Sequence, residues 1–232
     1  INNKYVLYYA MSVWGGEQTC GIGVATANSP QGPFTDHGKM FRSNEIGVQN
    51  SIDPSLLQYE GRNYLVWGSF RGIYVIELTA DGLSIMSGAK KKRIAGTAFE
   101  AVYIHKHGDY YYMFASIGSC CQGVKSTYKV VVGRSKKVWG PYKDKTGKPM
   151  LKNGYSLVIG ANDHFVGNGH GSQIIQDDAG QDWLLYHGFS RSTPENGRIL
   201  LLDQIKWDQE GWPYVEGGSP SYETQKAPVF NN

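Results

Sequence analysis

The sequence predicts an all-β chain built of blade-like units, a β-propeller of about four blades. Three observations carry this. An aromatic strand pattern recurs along the chain, a second strand-like run follows each recurrence, and a turn ending in Gly-Pro-aromatic occurs twice. β-Branched and aromatic side chains fill a pleated, half-buried surface. No segment shows a sustained 3.6-residue apolar period with caps, so helices are not expected.

The aromatic pattern occupies residues 3–10 (NKYVLYYA), 61–68 (GRNYLVWG), 108–115 (GDYYYMFA) and 180–187 (GQDWLLYH). These starts lie 58, 47 and 72 residues apart, which is the range of propeller blades. The second runs are residues 22–26, 73–78, 128–133 and 199–202. The repeated turn is residues 29–34 (SPQGPF) and 135–142 (SKKVWGPY). There Pro and Gly fix the backbone, and the aromatic residue is expected to pack back onto its blade. Residues 80–82 and 208–212 carry ordinary hairpin-turn chemistry. A β-sandwich is the alternative arrangement of such strands; the shared turn argues for blades.

The 232 residues can bury a substantial core in one domain, and we take residues 1–232 as a single domain. Aromatic content of 13% and 30 glycines, with 19% charged residues, suits short strands and tight turns and argues against disorder. The net charge of +3 is small. Lys90, Lys91, Lys92 and Arg93 read as a solvated turn and neutralise too few phosphates to hold nucleic acid. No apolar run approaches the ~20 residues that span a bilayer, and no basic and apolar leader is legible at Ile1. Three cysteines make no disulfide framework. Adjacent Cys120 and Cys121 are expected not to bridge each other, because the ring strains the intervening peptide; free buried thiols are the default.

Two acidic residues have unusual neighbours. Asp53 precedes proline in residues 50–55 (NSIDPS), just ahead of the second repeat, and Glu100 lies between Phe99 and Ala101-Val102, just ahead of the third. On spacing alone Asp53 is as readily a turn residue. An apolar setting disfavours the charged form of a carboxylate, as a general acid requires, so Glu100 is expected to be an acid rather than a surface charge.

These blocks resemble glycoside hydrolase family 43, and within it the arabinanases. The resemblance rests on residues 50–54, 68–73, 99–104, 116–121 (SIGSCC), 126–135 (STYKVVVGRS), 169–172 (GHGS) and 182–187, collinear over nearly the whole chain. It implies a five-bladed propeller and an inverting hydrolase with three acids: Glu100 as general acid, Asp53 as the residue that tunes pKa and positions the sugar, and an aspartate base. Residues 3–5 align with the family's second blade, so the first blade and its base have no counterpart here. Asp163, Asp177 and Asp178 lie in loops and are poor substitutes.

The resemblance also implies a calcium or sodium ion beside His170, held largely by water and inessential to the acid–base chemistry. Taken alone, a histidine between glycines is more often a turn residue. Sugar-contact candidates are Asn50, Ser51, Trp14, Phe70, Arg71, Cys120 and Arg198. Trp14 is equally readable as blade packing, and Asn50 and Ser51 as turn formers. Arg198 matches an arginine that reaches the family's active-site carboxylates. Trp183, Trp207 and Trp212 read as core. The implied substrate is arabinan or its oligosaccharides, with a secreted or periplasmic setting and no nucleic-acid or membrane partner. A blade fewer than the family's five would leave strand edges through which copies could pair. A xylosidase or arabinofuranosidase of the same family, and a non-catalytic carbohydrate-binding propeller, are the competing functions. A WD or kelch interaction propeller is disfavoured, because neither signature is present.

Overall fold

The computed structural model describes residues 1–231. Four antiparallel sheets follow one another along the chain and form four blades of the propeller class. The first sheet contains β1 (Tyr5–Met11), β2 (Gly21–Ala27) and β3 (Thr35–Arg42). The second contains β4 (Ser55–Tyr59), β5 (Arg62–Trp67), β6 (Ile73–Glu77) and β7 (Lys92–Ala95). The third contains β8 (Glu100–His107), β9 (Tyr110–Ile117), β10 (Lys129–Ser135) and β11 (Ser156–Ile159). The last is built from β12 (Phe165–Gly169), β13 (Ile175–Gln176), β14 (Asp182–Ser190), β15 (Arg198–Trp207) and β16 (Pro213–Tyr214). The one α-helix among the described residues is the single turn Ser43–Ile46.

Each aromatic run read from the sequence pairs with its second run as an antiparallel hairpin: β1 with β2, β5 with β6, β9 with β10, and β14 with β15. The apolar and aromatic runs that make these strands legible are also what the inner strands bury. In β9, for example, the residues from Tyr112 to Ile117 are all buried. The two Gly-Pro turns share a backbone, with Gly32 at φ 83° and Gly140 at φ 75° ahead of a cis proline. Tyr142 packs back fully, whereas Phe34 stays 37% exposed.

By internal contacts the chain divides into two compact units, residues 1–103 with 151–153 and residues 104–150 with 154–232. The first unit has a core of Ile22, Phe41, Val48, Leu65, Trp67, Ile76 and Leu78, with the Phe41 and Trp67 rings 5.3 Å apart. The second buries Tyr112, Phe114, Val131, Tyr142, Met150, Leu184 and Tyr186.

Two expectations are corrected. Cys120 and Cys121 do form a disulfide with each other, and Cys20 alone is a free, buried thiol. The pair sits in a β9–β10 loop that is pinched shut: Ser119 N–H donates to Thr127 Oγ1, and the amides of Thr127 and Tyr128 both donate to Ser119 O. With Gly118 and Gly123 at φ 89° and 56° absorbing the turn, the two cysteines close on a Cα–Cα distance of 3.8 Å, the ordinary trans spacing. The basic run is also more ordered than a free turn. Lys92 and Arg93 open strand β7, and Lys91 Nζ donates to Ile46 O at 2.8 Å.

Candidate active site

In the first unit, Asp53 and Glu100 are brought to one place by a tight set of loops. Glu100 is the first residue of β8 and is 7% exposed. Its Oε2 accepts a hydrogen bond from Ser69 Oγ at 2.7 Å. Ser69 is held in turn by Asn50, whose Nδ2 donates to Ser69 Oγ at 2.9 Å and to Ser69 O at 3.0 Å. Asp53 Oδ2 accepts the Ala101 amide at 3.0 Å, one residue beyond Glu100.

The backbone is bent to make these contacts. Asn50, Asp53, Phe70 and Ala101 all have φ between 51° and 57°. Asn and Asp visit this left-handed region at modest cost; Phe and Ala do so rarely. Such residues persist where surroundings over-determine them, and they concentrate at functional sites. At Ala101 the turned backbone aims its N–H at Asp53. At Phe70 it lets the amide donate to Phe99 O at 2.9 Å. Gly68, at φ 127°, makes the β5–β6 loop close enough to deliver Ser69: a Cβ there would lie 2.3 Å from Gly72 O.

The remaining sequence candidates divide between supporting and open positions. Ser51 is fully buried, with its hydroxyl donating to Val48 O at 2.8 Å and accepting Trp67 Nε1–H at 3.0 Å, so it shapes the turn that carries Asp53. Arg71 forms a two-point ion pair with Glu17, at 3.0 Å and 2.8 Å. Trp14 stands 91% exposed in the β1–β2 loop, and Phe70 is half-buried. Ser69 lies in one of the matching blocks, but a serine after glycine carries no distinctive pattern in the sequence.

The second unit holds the other candidates. The Arg198 guanidinium lies 3.9 Å from Cys121 Sγ, and Cys120 is half-buried beside it in sequence. His170, with φ 54°, donates its backbone N–H to Ser116 Oγ at 2.8 Å, and its ring lies 6.3 Å from the His187 ring. Both His187 ring nitrogens are buried without a hydrogen-bond partner among the described residues. Burial first, then Arg198 and then His170, push the His187 imidazole down to about 4, so it is neutral at pH 7. Calcium favours 6–8 oxygen ligands. Two imidazoles beside a guanidinium supply none of those oxygens, so water would have to furnish nearly the whole shell of an ion beside His170, and no step of the chemistry is routed through one. Asp177, read as a poor base, has both carboxylate oxygens committed, accepting Ala179, Gln181 and Val229 amides and Trp183 Nε1–H. Trp183 and Trp212 are buried as expected, while Trp207 is half-buried.

Comparison with known proteins gives one answer. The family model described as glycosyl hydrolases family 43 matches residues 1–213. The chain is 38% identical to an extracellular exo-α-(1→5)-L-arabinofuranosidase of Cellvibrio japonicus, over 91% of this chain and 66% of the relative. It is 36% identical to an extracellular endo-α-(1→5)-L-arabinanase of Bacillus subtilis, over 91% of this chain and 65% of the relative. This chain therefore spans just under two thirds of the length of both. Among solved structures, an α-L-arabinanase of Cellvibrio cellulosa complexed with arabinohexaose superposes with a TM-score of 0.85 at 34% identity, covering 94% of this chain and 75% of that one. A match along most of the chain, with a shared blade architecture, shows that the chain belongs to glycosyl hydrolase family 43.

Proposed function

We propose that this chain is an arabinan-degrading glycosidase that cleaves α-1,5-linked L-arabinofuranose chains with inversion, the whole chain acting as its catalytic domain. The observation that carries the reading is the Asn50–Ser69–Glu100 relay, which fixes a buried carboxyl group beside Asp53. Glu100 gives its proton to the glycosidic oxygen as the bond to the anomeric carbon breaks. Asp53, anchored on the Ala101 amide, orients the sugar and sets the field at Glu100. Inversion also needs a base that activates water from the opposite face, roughly 6.5–9.5 Å from the acid; we assign none of the described residues to that role. A hydrated calcium or sodium ion at His170 belongs to the proposal as a bystander to the acid–base steps. Secretion belongs to it as well, since the relatives are named as extracellular.

Release of reducing ends from linear arabinan, compared with aryl arabinosides and aryl xylosides, tests the substrate. Cleavage of the aryl substrates alone would sink the arabinanase reading in favour of a xylosidase or of an arabinofuranosidase, the latter a second reading supported by the Cellvibrio japonicus relative, which is named as an arabinofuranosidase. Calorimetric binding of arabino-oligosaccharides without turnover would instead identify a carbohydrate-binding propeller.

A further inference from the structure

Away from these carboxylates, the second unit gathers two imidazoles and a carboxylate in one place. His105 and His107 are two residues apart on β8, so the strand's alternation puts both on one face. Asp182, the first residue of β14, faces them and is 7% exposed. One ligand atom from each residue lies within 4.8 Å of the others, and His107 Nδ1 is 4.0 Å from Asp182 Oδ2.

The surroundings hold this cluster in position. Asp182 Oδ2 accepts Trp207 Nε1–H at 2.8 Å, and Oδ1 accepts Gln176 Nε2–H at 3.2 Å. The Trp207 ring lies flat on His107, with centroids 3.7 Å apart and planes 7° apart, and reaches His105 at 6.0 Å. Neither imidazole makes a hydrogen bond with another described residue, while the His107 side chain keeps 39% of its surface exposed and so open to an ion. Carboxylates and rings oriented by such outer contacts are what tune a metal site.

We propose that His105, His107 and Asp182 form a binding site for a divalent transition-metal ion of the zinc class. Two nitrogens and one carboxylate oxygen suit zinc, cobalt, nickel or copper and do not suit calcium or magnesium, which take oxygen sets. Bonds of about 2.0–2.1 Å place neighbouring ligand atoms about 3.3 Å apart in a tetrahedron, so the rings need to close by about 1 Å. Water completes the shell on the exposed side of His107. The ion ties β8 to β14, so its role is to brace the unit.

The test is calorimetric titration of the full chain, stripped with chelator, with zinc chloride, and with cobalt(II) followed by visible absorption. Wild type is expected to bind one ion, and His105→Gln and His107→Gln are expected to weaken that binding by about 100-fold, the scale seen even when outer contacts of a metal site are lost. His170→Gln is the control and should bind as wild type does. Zinc should also raise the melting temperature of wild type and leave unchanged that of His105→Gln, a partly exposed position whose metal-free melting temperature shows whether the variant folds. Equal zinc affinity in wild type and both variants overturns the proposal. So does loss of binding in His170→Gln alone, or no zinc binding by wild type.

Discussion

Ser69 Oγ donates to Glu100 Oε2 at 2.7 Å while accepting Asn50 Nδ2–H at 2.9 Å, so one hydroxyl fixes the buried carboxyl group and is itself fixed. The relay spans 31 residues of sequence on its longer leg. It converts a loop serine into the positioning group for the proposed acid.

Ser69→Ala removes that hydroxyl and leaves Asn50 Nδ2 with only the Ser69 carbonyl, at 3.0 Å. Loss of a buried hydrogen bond costs about 1–3 kcal/mol of stability. Misplacing a reacting group costs rate more than binding, so kcat should fall about 10-fold to 100-fold with KM little changed. Denaturant unfolding and steady-state kinetics on linear arabinan measure both. A large rise in KM at constant kcat would instead place Ser69 in sugar binding.

Glu100→Gln separates acid catalysis from structural support, because the amide keeps the shape and cannot give up a proton. Arabinan hydrolysis is expected to drop by about 10²–10⁴. An aryl arabinoside with a good leaving group needs no protonation and should lose far less. Equal losses on both substrates would remove Glu100 from the role of general acid.

The fold was legible because its signal is local. Val, Ile, Tyr and Trp in short runs specify a strand without reference to the rest of the chain, and the four strand pairs read that way are the hairpins β1–β2, β5–β6, β9–β10 and β14–β15. The burial of Glu100 was legible for a related reason, since Phe99 and Val102 mark its surroundings as apolar. Ser69 was not, because its importance comes from partners at positions 50 and 100. The bridge between Cys120 and Cys121 is not legible, because the strain of a generic eight-membered ring argues against it while the loop pinned between Ser119 and Thr127 brings the two thiols together. The strand spacing of His105 and His107 was readable; their partner Asp182 was not, since it comes from a different strand.

Thiol counting checks the cysteine assignment directly. Iodoacetamide should leave the native chain unmodified, because Cys20 is fully buried and Cys120 and Cys121 are bridged. Denaturation without reductant should add one label, and denaturation with reductant should bring the total to three. Three labels without reductant would mean that the bridge does not form.

His187 sets an acid limit to stability. Its imidazole is held down to about 4 by burial, then by Arg198 and then by His170, whereas in the unfolded chain it titrates near ~6.5. Between those values the unfolded state binds a proton that the native state refuses. Stability is therefore full above about pH 6.5 and falls as the pH drops toward about 4. Burial lowers His105 and His107 as well, so they add to the same slope. His187→Gln should flatten part of the fall in urea midpoint between pH 7 and 4. An unchanged slope would show that His187 protonates freely in the native protein.

The turned backbone at Ala101 yields a prediction in which two small substitutions part company. At φ 51° an L-residue sits in a region that costs about 1–2 kcal/mol, and glycine escapes that cost. Glycine also loses about 0.5–1 kcal/mol through the greater freedom of its unfolded chain. Ala101→Gly should therefore be neutral to slightly stabilising. Ala101→Val puts a β-branched residue where such residues are outliers, in a position only 8% exposed, and should lose about 2 kcal/mol or more. Activity should follow the same order. If valine forces the backbone back to negative φ, the Ala101 amide leaves Asp53 Oδ2, now 3.0 Å away, and the proposed sugar-positioning carboxylate loses its anchor. Glycine keeps the amide in place. Guanidinium unfolding and arabinan turnover of the two variants measure these effects, and a valine variant as stable and active as wild type would mean that the turned backbone is not what holds Asp53.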